Sequence, residues 1–374
     1  MKRLLCLTYR PPEKFGDMCA YGQDFILTVL KEKYEIKCLS FSESESETEE
    51  LITVKTNKNL FRKIFWFVFA GRSPRVTNYS SYVFENKLAK LIAGFDPDII
   101  YAEHVLIARY LLKNKLRAKT IFYDDESCLY IEANNLRKNF TEKIRNIGIG
   151  KLEKKIIAGS NLTLTITHDE ANYLAKLSFG NVKHLPYGVD TNYYAYGWKN
   201  DSAERILFVG NFSHYPNREA VKILLKSILP NLKKNVVLTI VGRNTNLLKI
   251  TSADRIEIYD NVEDIRPYYW NSRVFVAPIL SGGGMRIKIL EAASCGIPIL
   301  MTPVANLGIH LKNNESAVIS DDINLFPSLL GKMLDDPSLL SSVSKNARAC
   351  IEENFSEAVT KSRILRLFDE FEKN

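Results

Sequence analysis

Short, almost wholly apolar runs recur along this 374-residue chain, at 3–9, 36–41, 98–103, 120–124 and 162–166. Helical spacing fills the stretches between them, at 18–32, 82–93, 104–117 and 170–177. A run that is apolar at most positions has little face to give to water. It reads as a strand covered on both sides, which is the condition of a parallel sheet flanked by helices. The pattern restarts near 204, with strands at 205–210, 236–241, 256–259, 273–277 and 297–301 and helices at 217–228, 264–270, 285–294 and 324–332. Chains beyond roughly 250–300 residues outgrow a single core. The expected fold is therefore α/β, two Rossmann-like, doubly wound parallel-sheet domains facing a central cleft. The expected boundaries are 1–185 and 204–355, joined by a Gly-, Tyr- and Asn-rich linker at 186–203. A last helix is expected at 356–374.

One stretch carries chemistry. Residues 281–299 read Ser-Gly-Gly-Gly-Met-Arg-Ile-Lys-Ile-Leu-Glu-Ala-Ala-Ser-Cys-Gly-Ile-Pro-Ile. Gly282, Gly283 and Gly284 allow a sharp turn and a close approach to a ligand. A helix follows, and Gly296 stops it before a buried strand entered through Pro298. A glycine turn feeding a helix start presents free N–H groups and the positive end of the dipole to an anion. Arg286 and Lys288 add cations at the end of the helix that ordinarily prefers acids, so something negative belongs between them. Phosphate is the natural candidate. Glu291 stands about 10 Å further along the axis, at a reach where a carboxylate accepts hydrogen bonds from a sugar hydroxyl pair. The plain alternative is a helix–strand connection with surface charges.

This segment resembles the donor site of the group 1 (family 4) glycosyltransferases. The resemblance extends through Ile206-Leu-Phe-Val-Gly210, Pro216-Asn217, Val237-Leu-Thr-Ile-Val-Gly242, Arg273-Val-Phe-Val-Ala-Pro278 and Leu185-Pro-Tyr-Gly-Val-Asp190, and is specific over roughly 185–310. It implies the GT-B fold and retaining transfer of a sugar from a nucleotide-diphosphate donor, UDP or GDP, to a hydroxyl on a glycan or lipid-linked acceptor. It implies no metal and no cofactor. By the same resemblance Gly16, after the first strand, offers backbone N–H groups to the donor's distal phosphate, and His104 stands near the reacting sugar. Two departures stand out. Gly283 occupies the place of a family Glu, eight residues before Glu291. Asn211 occupies the place of a family Arg, and Asn217 and Arg218 lie where a Lys is usual. Arg286 and Lys288 are then the cations left for the diphosphate. A nucleotide-sugar 2-epimerase of the same fold and a non-catalytic nucleotide-binding partner are the competing functions.

Ligands of open α/β sheets bind beyond the carboxyl ends of the strands. His104 follows the strand 98–103 and meets that rule, with His214 as the second choice among the histidines. Asp124, Asp125 and Glu126 follow the strand 120–124, as acceptor-side candidates for sugar hydroxyls or as simply exposed acids. Asp96-Pro97-Asp98 has a metal-binding spacing but precedes its strand, so it reads as a turn.

The net charge of +8 is uneven. Residues 42–50 are acidic and read as a solvated loop, whereas 51–95 hold eight Lys and Arg against Glu85 alone. Within the latter, 60–75 interleaves Phe61, Phe65, Trp66, Phe67 and Phe69 with Arg62, Lys63, Arg72 and Arg75. Such a segment lies on an anionic membrane surface or packs its rings into a core. Bulky aliphatics among the cations and the lack of a recognised binding motif argue against nucleic acid. No run reaches the 18 apolar residues of a membrane span. Six scattered cysteines, without Cys-x-x-Cys spacing, fit a reducing compartment rather than a disulfide or zinc framework. The expected location is cytoplasmic, peripheral on the inner face of the membrane.

Overall fold

The computed structural model describes residues 1–12, 18–56, 73–113, 116–136, 140–177, 180–200 and 204–373. Gly16 and nearly all of the 60–75 segment lie outside the described residues. The chain divides into two units, Met1–Tyr187 with Lys361–Asn374, and Gly188–Thr360.

The first unit holds seven strands, β1 (Lys2–Thr8), β2 (Tyr34–Ser42), β3 (Leu51–Lys55), β4 (Ile99–Glu103), β5 (Lys119–Asp124), β6 (Leu162–Thr165) and β7 (Val182–His184). Their order is β3-β2-β1-β4-β5-β6-β7. The second holds β8 (Arg205–Asn211), β9 (Val237–Arg243), β10 (Ile256–Asp260), β11 (Val274–Ala277), β12 (Ile299–Met301) and β13 (Val318–Ile319). Their order is β10-β9-β8-β11-β12-β13. Every pairing between these strands is parallel. Each unit is thus a Rossmann-like doubly wound sheet. Leu4, Leu5, Cys6 and Leu7 of β1 are fully buried, as the apolar middle of a strand covered on both faces must be.

In both sheets the order reverses beside the first strand, between β1 and β4 and between β8 and β11. Connections leave in opposite directions at such a point and open a crevice at the carboxyl ends. In the first unit the crevice is edged by Tyr9 and Arg10 after β1 and by His104 after β4. In the second it is edged by Asn211 and by the loop that follows β11.

The core of the first unit includes Phe41 stacked on Phe84 at 4.5 Å, with Tyr110 4.6 Å beyond. Each such buried ring contributes about 1.5–3 kcal/mol. Within this unit the last helix (Glu357–Lys373) buries Ile364, Phe368 and Phe371. Its rim carries ion pairs, Lys361 with Glu32 at 2.6 Å and Glu372 with Lys2 at 2.9 Å. Exposed pairs of that kind contribute little. The helix expected at 104–117 is shorter: one α-turn, Val105–Ala108, runs into a 3₁₀ segment, Arg109–Lys113. A 19-residue helix, Pro337–Phe355, was not anticipated, although Asp336 caps it and Pro337 opens it. Of the stretch 186–203, Val189 and Trp198 are buried, and Trp198 donates to the Ser272 carbonyl at 3.1 Å. Among the described residues no helix is long and apolar enough to cross a membrane.

Gly242 of β9 pairs with Gly210 of β8, at φ +154°. A Cβ there would stand 1.8 Å from the Gly210 carbonyl oxygen, so the main chain itself would have to move. Gly242→Ala should destabilise the second unit by about 2–3 kcal/mol. Gly331→Ala, in a helix with nothing within 4 Å of the added atom, should instead add about 0.5–1 kcal/mol. Urea unfolding of both variants is the check; equal midpoints would contradict the strand-pairing argument.

Candidate active site

The loop after β11 turns on two glycines with positive φ, Gly282 at +96° and Gly284 at +69°. These are angles that a Cβ disfavours. Arg286 stands one residue before the helix α1 (Ile287–Cys295), as its N-cap rather than within its first turn. Its guanidinium folds back into the loop. It donates to the carbonyls of Gly282 (2.7 Å), Gly284 (3.0 Å) and Ser281 (3.2 Å), and to that of Gly283. The side chain therefore organises the glycine turn as well as charging it. No side chain caps the start of α1, so its first N–H groups keep their capacity for an anion.

Lys288 is the second residue of α1, within its first turn. Its ammonium donates to Asn217 Oδ1 at 2.6 Å and rests 4.9 Å from the centre of the Phe208 ring. Asn217 donates in turn to the Asn211 carbonyl at 2.7 Å, at the end of β8. The Asn211 side chain accepts from the Ser213 N–H (3.0 Å) and hydroxyl (2.8 Å) and from Asn244 (3.0 Å). Lys288 thus reaches Asn217 directly and the end of β8 through it. Burial, and after it the neighbouring Arg286, pull the Lys288 ammonium down to about 7, with Glu291 opposing.

Glu291 is 7% exposed. Its two oxygens accept the hydroxyls of Tyr194 at 2.7 Å and Tyr269 at 2.8 Å. Burial raises its pKa, while the two tyrosines and Lys288 pull it back. Each carboxylate oxygen keeps a second acceptor position beyond its tyrosine. His214 is the N-cap of the helix Tyr215–Ile223 and makes no capping bond through its side chain. Tyr194, Tyr269 and Phe208 escaped the sequence reading. Tyr194 lies in the stretch taken for a linker, and a lone buried Tyr or Phe looks like core.

In the first unit His104 is 7% exposed and caps the turn after β4, with φ +66°. Burial, then Arg75 and Arg10, lower its pKa well below the usual imidazole range. Asp124 is 1% exposed, not a surface acid. Burial, followed by Glu153 and Glu170, raises it well above the carboxylate range. Asp125 and Glu126 are half-buried, and burial lifts Asp125 to about 7. Asp96 is the left-handed C-cap of the helix Tyr82–Phe95, and Asp98 accepts the Arg3 N–H at 2.8 Å, both before β4. Among the described residues no three His, Cys, Asp or Glu are placed to hold a metal.

Two Rossmann-like sheets in one chain are the GT-B architecture. Sucrose-phosphate synthase from Thermosynechococcus elongatus superposes with a TM-score of 0.74 at 13% identity, over 99% of both chains. HepE from Anabaena, solved in complex with UDP, superposes with a TM-score of 0.69 at 11% identity, over 98% of this chain and 100% of that one. Residues 203–336 match the profile of the family described as "Glycosyl transferases group 1". The capsular polysaccharide biosynthesis glycosyltransferase CapM of Staphylococcus aureus is 24% identical over 149 residues, 37% of this chain and 39% of its own. The structural matches thus cover the whole chain's fold, and the family match lies within the second unit.

The Lys288 environment has a consequence without any ligand. A lysine neutral in the folded state near 7 takes up a proton on unfolding at any pH between about 7 and 10.5. The unfolded chain binds more protons in that window, so stability rises with pH across it. Wild type should gain stability relative to Lys288→Met from pH 7 to 10 in urea titrations. A difference that stays flat with pH would contradict the buried-lysine assignment.

Proposed function

We propose that the chain transfers a sugar from a nucleotide-diphosphate donor, UDP-linked for preference, to a hydroxyl acceptor with retention of anomeric configuration. The observation that carries this reading is the union of a glycine turn, an uncapped helix start, Arg286 and Lys288 within one loop and one helical turn. The leaving diphosphate needs its developing charge offset, and preorganised N–H groups and cations provide that without a metal. Lys288 near 7 accepts a proton as the diphosphate arrives and offers a full positive charge when the glycosidic bond breaks. Glu291, oriented by Tyr194 and Tyr269, accepts the ribose hydroxyls. UDP as the carrier is favoured by the likeness to HepE, which was solved in complex with it.

On the first unit His104 and the half-buried Asp125 and Glu126 belong to the acceptor and reacting sugar, and Gly16 to the distal phosphate. CapM's capsular role favours a glycan or lipid-linked acceptor. The basic aromatic stretch 60–75 would bring the enzyme to an anionic membrane on its cytoplasmic side.

Lys288→Met keeps an apolar stem on Phe208 and removes the charge. It should lower turnover of the UDP-sugar by about 100-fold, close to 3 kcal/mol of barrier. Arg286→Ala should lower turnover at least as far and also loosen the glycine turn, since four carbonyls lose their donor. Product analysis with and without acceptor is the assay. Near-normal turnover in Lys288→Met, or UDP release that no acceptor changes, would overturn the proposal.

A further inference from the structure

Within the first unit two hydrogen-bond donors confront each other. The Leu106 N–H donates to His104 Nδ1 at 3.1 Å. A ring nitrogen that accepts carries no proton, so the neutral imidazole holds its hydrogen on Nε2. Arg75 Nη2 lies 3.4 Å from that Nε2, and a guanidinium has no acceptor to offer. The other tautomer only moves the conflict to Leu106. His104 is nine-tenths buried, and among the described residues nothing accepts from its Nε2–H.

Arg75 has one further side-chain partner, Asn146 Oδ1 at 2.8 Å, and no carboxylate among the described residues. The Tyr9 ring packs 5.0 Å from His104, and the Arg10 guanidinium lies 4.7 Å over Tyr9, a second cation beside the first. Glu103 is 1% exposed and accepts from Tyr187 at 3.1 Å and from Gln23. Burial raises Glu103 and Asp124 well above the carboxylate range and lifts Asp125 to about 7. Asp125 is the carboxyl whose charged form both Arg75 and Arg10 favour, and burial lifts it to about 7 against them, at the sheet's switch point between β1 and β4.

We propose that Arg75 and the His104 Nε2–H together bind an oxyanion, a phosphate or carboxylate oxygen carried by the acceptor, with Arg10 adding attraction. One oxygen between the two donors satisfies both. The assignment of that anion to the acceptor rests on the glycosyl-transfer reading, in which the donor's diphosphate is held by Arg286 and Lys288 of the other unit. The site itself does not rest on it. The enzyme would then take acceptors with an anionic group near the reacting hydroxyl.

The test titrates the full chain, saturated with UDP, with inorganic pyrophosphate by calorimetry. Arg75→Gln should weaken pyrophosphate by about tenfold or more, the loss of one charge-assisted hydrogen bond, and leave UDP affinity within about twofold. Arg75→Lys should keep most of the pyrophosphate affinity. In wild type the imidazole Nε2–H resonance of His104 should shift on adding pyrophosphate, which tests the site even if the Gln variant folds poorly. Unchanged pyrophosphate affinity in Arg75→Gln, no binding in wild type, or an unmoved His104 resonance would overturn the site. Loss of UDP affinity equal to that for pyrophosphate would assign the anion to the donor and overturn the acceptor claim. Absence of UDP binding would defeat the glycosyl-transfer reading alone, and the same titration without UDP would then judge the Arg75–His104 site.

Discussion

All strands of a doubly wound parallel sheet point one way, and the rest of this structure depends on that constraint. Every strand-to-helix turn leaves from the same edge, so the residues after β1, β4 and β5 gather along one edge of the first unit. Those after β8 and β11 gather along one edge of the second. The reversals beside β1 and beside β8 decide where on that edge a ligand fits. His104, Arg286 and Asn211 are far apart in sequence, yet each follows a strand next to a reversal.

Burial then decides which of the gathered groups carry charge. In the second unit Lys288, pressed onto Phe208 beside Arg286, falls to about 7, while Glu291 is held by two tyrosine hydroxyls. In the first, Glu103 and Asp124 are pushed up and His104 is pushed down. Each of these shifts favours the uncharged form, and a charged ligand alongside would oppose it. Perturbed groups of this kind are expected where ligands bind.

The central strands were legible because their mainly apolar runs alternate with helical spacing, and β1, β4 and β8 lie within a residue or two of their expected limits. The short edge strands β3, β7 and β13 were not, since at two to five residues they leave too little pattern. The glycine turn and the α1 helix could be read from 281–296. The fold-back of Arg286 onto its own carbonyls could not, because spacing does not reveal the direction of a guanidinium. Tyr194 was hidden, and Arg75 was read only as a cation of the basic aromatic stretch, for the opposite reason. Each is an ordinary residue until the fold sets it against a partner distant in sequence, Glu291 for Tyr194 and His104 for Arg75.

The central claim is that a nucleotide diphosphate binds against Lys288 in the second unit. Its most direct test is proton uptake on UDP binding at pH 8, measured by calorimetry in buffers of different ionisation enthalpy. The free lysine is mostly neutral at that pH, and the UDP phosphates, with a last pKa of about 6, have no proton to exchange. The account predicts uptake approaching one proton in the wild type and none in Lys288→Met. Binding without proton uptake, or equal uptake in the two proteins, would contradict it.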